Sequence, residues 1–113
     1  MNWIEDKRGK LLELKDFPKV GGRMYIIKIN PGETRGNHYH KIQVETFLVL
    51  EGEADLCVDN QLIRLTGDVV QVISVTPPQH HWIRATEKGC IVLIHSTREH
   101  NKADPDTYNK EVI

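Results

Sequence analysis

The chain has 113 residues, 39% of them hydrophobic, and its 15 Lys and Arg against 16 Asp and Glu leave a formal net charge of −1. That length buries a core in one domain, taken as residues 1–113, and the scattered, balanced charge argues against a nucleic-acid or anionic-membrane partner. Fully apolar runs reach only about five residues, too few for a helix to cross a bilayer.

The N-terminus, MNWIEDKRGK, lacks the apolar centre of a signal peptide, so the expected location is the cytoplasm. After Trp3-Ile4, Lys10 to Leu14 is predicted as a short strand, closed by a turn at Pro18 and Gly21-Gly22. Arg23 to Asn30 (RMYIIKIN) is rich in β-branched and aromatic residues and stops at Pro31-Gly32, which predicts a strand. Thr46 to Leu50 and Ala54 to Val58 flank Glu51-Gly52-Glu53 and predict a hairpin. Asp59-Asn60 leads into Gln61 to Leu65, and Thr66-Gly67-Asp68 turns into Val69 to Val75, ahead of Pro77-Pro78. Trp82 to Ala85 and Cys90 to Ser96 are predicted as separate strands around a polar turn, Thr86 to Gly89. The polar tail from Arg98 to Ile113, with Pro105, is expected as a loop or short terminal element. Cys57 and Cys90 have strand-like neighbours and no CxxC spacing; they are expected as buried thiols. Turn signals recur at strand-length intervals and no helical period is sustained, which predicts an all-β, antiparallel sandwich or barrel.

The chemistry concentrates between Gly32 and Gly52, GETRGNHYHKIQVETFLVLEG. His38 and His40, two apart in an extended segment, share a face, while Tyr39 points the other way. Glu45 follows His40 by five residues and joins the pair only if Lys41-Ile42-Gln43-Val44 bends the chain. Imidazole and carboxylate together suit zinc, iron, nickel, manganese or cobalt. An HxH pair alone is often an accident; a carboxylate at this spacing makes a divalent-metal site the stronger reading. Tyr39 and Trp82 are expected as packing residues on an outer sheet face.

The spacing G-x5-HxH-x4-E-x6-G, counted from Gly32 to Gly52, resembles the first motif of the cupin superfamily at every position. Gly67-Asp68 followed by Pro77-Pro78-Gln79-His80-His81-Trp82 resembles the second, with Pro78 where a glycine is usual and Thr76 where a proline is usual. Of the two histidines His81 is the better fourth ligand, because cupins commonly follow the liganding histidine with an aromatic and an apolar residue, here Trp82-Ile83. A narrower likeness covers nearly the whole chain. TRGNHYHKIQVETFLVLEGEA, GDVVQVISVTPPQHHWI and ADPDTYNKEV are similar to the C-terminal cupin domain of the capsular polysaccharide assembling proteins, which make deoxy-amino sugars on UDP. In that family the cupin is fused to a reductase domain. This chain carries no Rossmann segment, which leaves a reductase as a candidate functional partner.

What the resemblance implies is a single-domain cupin, a small double-stranded β-helix or jelly-roll barrel, holding a divalent metal, zinc first, on His38, His40, Glu45 and His81. It implies a sugar-nucleotide epimerase or isomerase acting beside the keto group of a UDP-4-keto-6-deoxy sugar in surface polysaccharide biosynthesis. A metal polarises the keto group, and a base removes the neighbouring proton for return to the other face. Tyr25, Lys28 and His95 are the catalytic candidates, each in a strand with a face toward the barrel interior. His95, in CIVLIHS, has the plainer reading of a core or interface residue. Arg35 is a candidate anchor for a substrate phosphate, against the plainer reading of an exposed loop arginine. His80 is expected at a pocket rim and His100 in the solvated tail. A homodimer is expected, as for small cupins that pair through sheet edges. Two other classes stay open on the same ligands: another metal-cupin enzyme, such as a dioxygenase, and a non-catalytic sugar- or metal-binding module.

Overall fold

A computed structural model describes residues 3–14, 22–98 and 106–109; the expected turn at Pro18 and Gly21, His100 and most of the tail lie outside them. The described residues form strands and turns and no helix. In chain order the strands are β1 (Ile4–Asp6), β2 (Gly9–Glu13), β3 (Arg23–Ile29), β4 (Thr34–Tyr39), β5 (Glu45–Val58), β6 (Gln61–Thr66), β7 (Val72–Val75), β8 (His81–Ser96) and β9 (Tyr108–Asn109).

Two long strands organise the sheet. β5 and β8 pair antiparallel from Glu45↔Ser96 to Val58↔His81. The C-terminal half of β8 also pairs β3, which leads on to β2 and β1. The N-terminal half pairs β4 instead, and β4 pairs β9. β5 takes β7 along its start and β6 along its end. The sheet therefore has two halves joined through the middles of β5 and β8, and their inward residues form one core. Tyr25, Ile27, Phe47, Val49, Val92 and Ile94 come from one half, and Ala54, Leu56, Leu65, Ile83 and Ala85 from the other. Removing a side chain such as Phe47 or Leu56 from water is worth about 1.5–3 kcal/mol. Cys57 and Cys90 are free and buried, as expected.

The all-β jelly-roll expectation holds, with two corrections to its parts. The hairpin at Glu51-Gly52-Glu53 and the turn at Thr86 to Gly89 are bends within continuous strands. Glu51 and Gly52 keep cross-strand partners, Ile91 and Cys90, with register shifts on either side of Gly52, and β8 runs unbroken through Thr86 to Gly89. Pairing with a neighbour overrides the local turn composition here. The strand expected from Val69 starts only at Val72, and Val69 and Val70 are exposed.

Strand alternation settles two catalytic candidates. In β3, Tyr25, Ile27 and Ile29 are buried and Lys28 is exposed; in β8, Cys90, Val92 and Ile94 point inward and His95 lies on the opposite face. Lys28 is thus exposed on the outer face of the barrel wall and His95 is half-buried on that same face, contrary to expectation, because each shares the parity of the residues directed away from the core.

Two glycines separate backbone strain from steric exclusion. Gly32 has φ +76° with open space where a Cβ would stand, whereas Gly52 has φ +80° and a Cβ there would be 2.1 Å from the Gly89 carbonyl oxygen. Gly32→Ala should cost about 1 kcal/mol, the left-handed penalty alone, and Gly52→Ala about 3 kcal/mol or more. Urea denaturation midpoints measure both; equal losses would contradict the backbone clash.

Candidate metal centre

Each ligand is placed by a local feature of the sequence. In β4, Gly36 (φ +95°) pairs Trp82 and His38 pairs His81, leaving Asn37 (φ +71°) as the extra residue of a bulge. Arg35 and His38 are three apart and would face opposite ways on a regular strand; the bulge turns both toward the same pocket. His81 opens β8 and Glu45 opens β5, and both are buried. His40, 3% exposed, lies just past β4.

The bend between His40 and Glu45 has its cause in the tail. The Asp106 carboxylate accepts the backbone N–H groups of Lys41 (3.0 Å), Ile42 (3.0 Å) and Gln43 (2.8 Å). Its main-chain carbonyl accepts a hydrogen bond from His40 Nδ1 at 2.6 Å. Asp106 is itself 1% exposed with φ +51°. Burial works against its charge, but these three N–H donors outweigh that and hold the carboxyl below its ordinary value.

The four predicted ligands converge. Glu45 Oε1 is 2.5 Å from His40 Nε2, 3.1 Å from His81 Nε2 and 3.9 Å from His38 Nε2, and the four ligand atoms all lie within 4.8 Å of one another. Tyr25 donates its hydroxyl to the other oxygen, Oε2, at 2.9 Å. Because a carbonyl only accepts, His40 carries its proton on Nδ1, and the Nε2 of the neutral ring aims a lone pair at an oxygen that also bears lone pairs. A cation between them, a proton or a metal, resolves that conflict. Three imidazole nitrogens and one carboxylate fit a first-row divalent ion, and the His40–Asp106 hydrogen bond is the outer contact that fixes a ligating imidazole.

The electrostatics agree. Burial would raise the Glu45 carboxyl, but hydrogen bonds with His38, His40 and His81 hold it far below its ordinary value. Burial disfavours a charged His40, yet Glu45 and the Asp106 carbonyl raise it. Tyr25 is pushed well above the ordinary phenol value, first by burial and then by the Glu45 charge, so it remains a protonated donor in neutral solution.

A pocket opens over the cluster, bordered by Tyr25, Arg35, Phe47 and Ile83. Of the catalytic candidates only Tyr25 reaches it. Arg35 lines it with a side chain 13% exposed, more enclosed than a free loop arginine. His80 stays outside the cluster and gives its backbone N–H to Asp59. Tyr39 stacks on Tyr108 with ring centroids 5.4 Å apart, and Trp82 packs under Arg84. Asp106 had no assigned role in the sequence reading; its only signal was its place in the Pro105-Asp106-Thr107-Tyr108 ending.

Residues 4–108 match the family described as the Polysaccharide biosynthesis C-terminal domain. The chain is 28% identical over 110 residues to the UDP-2-acetamido-2,6-beta-L-arabino-hexul-4-ose reductase of Pseudomonas aeruginosa, a match covering 91% of this chain and 29% of that protein. The capsular polysaccharide assembling protein CapF of Staphylococcus aureus has the same fold, with a TM-score of 0.86 and 26% identity over 98% of this chain and 32% of CapF. A sugar phosphate isomerase of the cupin superfamily from Silicibacter pomeroyi shares the fold at a TM-score of 0.69 and 22% identity, over 80% of this chain and 60% of that one. The chain thus spans about a third of the length of the first two proteins. It shares the fold of CapF and of that cupin-superfamily isomerase, and it belongs to the polysaccharide biosynthesis C-terminal domain family.

Proposed function

We propose that the chain is a metal-dependent epimerase or isomerase of a nucleotide sugar, acting beside the keto group of a UDP-4-keto-6-deoxy sugar in surface polysaccharide biosynthesis. The observation that carries this is the convergence of three imidazole Nε2 atoms on one Glu45 oxygen at the base of a pocket that also holds Tyr25 and Arg35. His38, His40, Glu45 and His81 would hold a divalent ion, zinc by preference for this donor set, which would supply Lewis acidity toward a substrate carbonyl. Phe47 and Ile83 give the pocket buried apolar walls. Tyr25, kept protonated and fixed by its hydrogen bond to Glu45, is the residue we assign to proton delivery. The name of the Pseudomonas relative, a reductase of a UDP-linked hexul-4-ose, supports the substrate class. It also supports a reductase as functional partner. Exposed apolar side chains at Leu50, Val70 and Val72 support a homodimer.

One observation favours a second reading. Besides the four ligands and Tyr25, the described pocket lining offers no carboxylate or imidazole to abstract a proton. That favours a non-catalytic sugar- or metal-binding module working beside a separate enzyme.

Elemental analysis of the purified protein should find about one zinc per chain, and His40→Ala or His81→Ala should remove it. Absence of any metal from the intact protein would refute the site, and iron with oxygen consumption would move the protein to the dioxygenase class.

Asp106→Ala breaks the three N–H contacts that shape the His40–Glu45 loop. It should weaken metal affinity about 10- to 100-fold in a competitive chelator titration, with the far-ultraviolet circular dichroism spectrum unchanged. Undiminished affinity would show that the loop holds its shape without the tail.

Incubated with a UDP-4-keto-6-deoxy sugar in deuterium oxide, the protein should exchange the hydrogen on the carbon beside the keto group. His40→Ala should abolish the exchange, and Tyr25→Phe should slow it by about a hundredfold or more. Binding of the sugar with no exchange establishes the module instead.

A further inference from the structure

The mouth of the pocket carries more positive charge than its own contacts use. Three arginines line it: Arg8, Arg23 and Arg35. Arg23 is committed, donating to Glu13 at 3.0 Å and covering the Tyr25 ring at 4.7 Å. Arg8, in the turn between β1 and β2, gives Nε and Nη2 to Asp6 Oδ2 at 3.1 and 2.6 Å, and its backbone N–H to Asp6 Oδ1. Among the described residues Arg35 has only a distant carboxylate. Its Nη2 is 3.9 Å from Asp6 Oδ1, beyond a hydrogen bond, and its buried Nε has no partner among the described residues. Burial, and then the like charge of Arg8, pull this guanidinium below its ordinary value. Two guanidiniums therefore share one carboxylate, and Asp6, unlike the arginines, does not line the pocket.

We infer that Arg35 and Arg8 form an anion subsite for the diphosphate of the substrate, with Asp6 as the resident counter-ion that an arriving phosphate displaces from Arg8. This rests on the reading of the pocket as a nucleotide-sugar site and adds the group that anchors the nucleotide end. A guanidinium presents paired N–H donors in a plane, which matches two oxygens of a phosphate. The donors Arg35 leaves unused, and those Arg8 now spends on Asp6, are the ones a diphosphate would take. The bulge at Asn37 that turns Arg35 inward beside His38 puts the anion subsite and the metal ligands on one wall, so one substrate can touch both.

Asp6 gives the inference its discriminating sign. If Asp6 only props up the turn, its loss weakens binding; if it competes with the ligand, its loss strengthens binding. Asp6→Asn keeps the oxygen that accepts the Arg8 backbone N–H and removes the charge. The experiment is calorimetric titration of the metal-loaded protein with UDP. Arg35→Gln should weaken UDP binding about tenfold or more, with Arg35→Lys intermediate. Arg8→Gln should weaken it less, and Asp6→Asn should tighten it about two- to fivefold. Arg64→Gln, on the outer surface with Asp55 and Glu53, serves as the unchanged control. Metal content and thermal midpoint of each variant show that the fold and the ligand cluster persist. UDP affinity unaffected by Arg35→Gln, or weakened by Asp6→Asn, overturns the subsite. The metal-free His40→Ala protein separates this from failure of the enzymatic reading. UDP retained there, and lost on adding Arg35→Gln, keeps the anion subsite even where no exchange is seen. UDP lost in His40→Ala but unaffected by Arg35→Gln assigns the diphosphate to the metal.

Discussion

Most of the architecture answers to one crowded oxygen. Glu45 Oε1 faces the Nε2 atoms of three imidazoles in a buried place. In such surroundings an unbalanced charge or a mismatched lone pair is expensive. The surrounding structure fixes every partner: Tyr25 takes the second oxygen, the Asp106 carbonyl sets the His40 tautomer, and the strand ends deliver His38 and His81. Burial amplifies the attraction of such a site for a cation, and equally the penalty for leaving it without one. That makes the centre a poor source of stability in itself and a strong selector of what it holds.

The division of labour follows from the two long strands. β5 supplies Glu45 at its first residue and β8 supplies His81 at its first, yet these ends lie in different halves of the sheet. They meet because the strands bend at Gly52 and near Gly89 and fold the halves onto a shared core. The apolar residues that follow each ligand, Phe47 and Val49 after Glu45 and Ile83 and Ala85 after His81, continue the same inward face. Alternation thus runs without a break from the chemistry into the core, and packing sets ligand direction. The loop holding His40 has no such support of its own and borrows it from the tail.

The cluster of three histidines and Glu45 was legible in the sequence because residue type, HxH alternation and motif spacing all point to the same four residues. The jelly-roll class was legible for a similar reason, since many short β-prone segments separated by turn residues leave few architectures. The bends at Gly52 and Gly89 were not, because a hairpin and a sharply bent strand use the same turn residues and differ only in whether a neighbour pairs through them. Parity misled for Lys28 and His95. In IVLIH both alternating sets are apolar up to the histidine, so composition does not say which set faces inward. For RMYIIKI the charge on Lys28 already marked the outward set. Asp106 was hidden for another reason: its value lies in meeting His40 across 66 residues, a contact no local pattern encodes.

The bulge at Asn37 makes the count of residues in β4 as consequential as their identity. With the extra residue, Arg35 and His38 are in phase. A one-residue deletion between them would put the pair two apart, in phase again on a strand without the bulge, whereas a chain keeping the present length but replacing Gly36-Asn37 with residues that favour regular extended backbone would throw them out of phase. The spacing between arginine and histidine can therefore drift among related chains by one residue without loss of the pocket, provided the left-handed pair vanishes with it. Length and backbone conformation must change together.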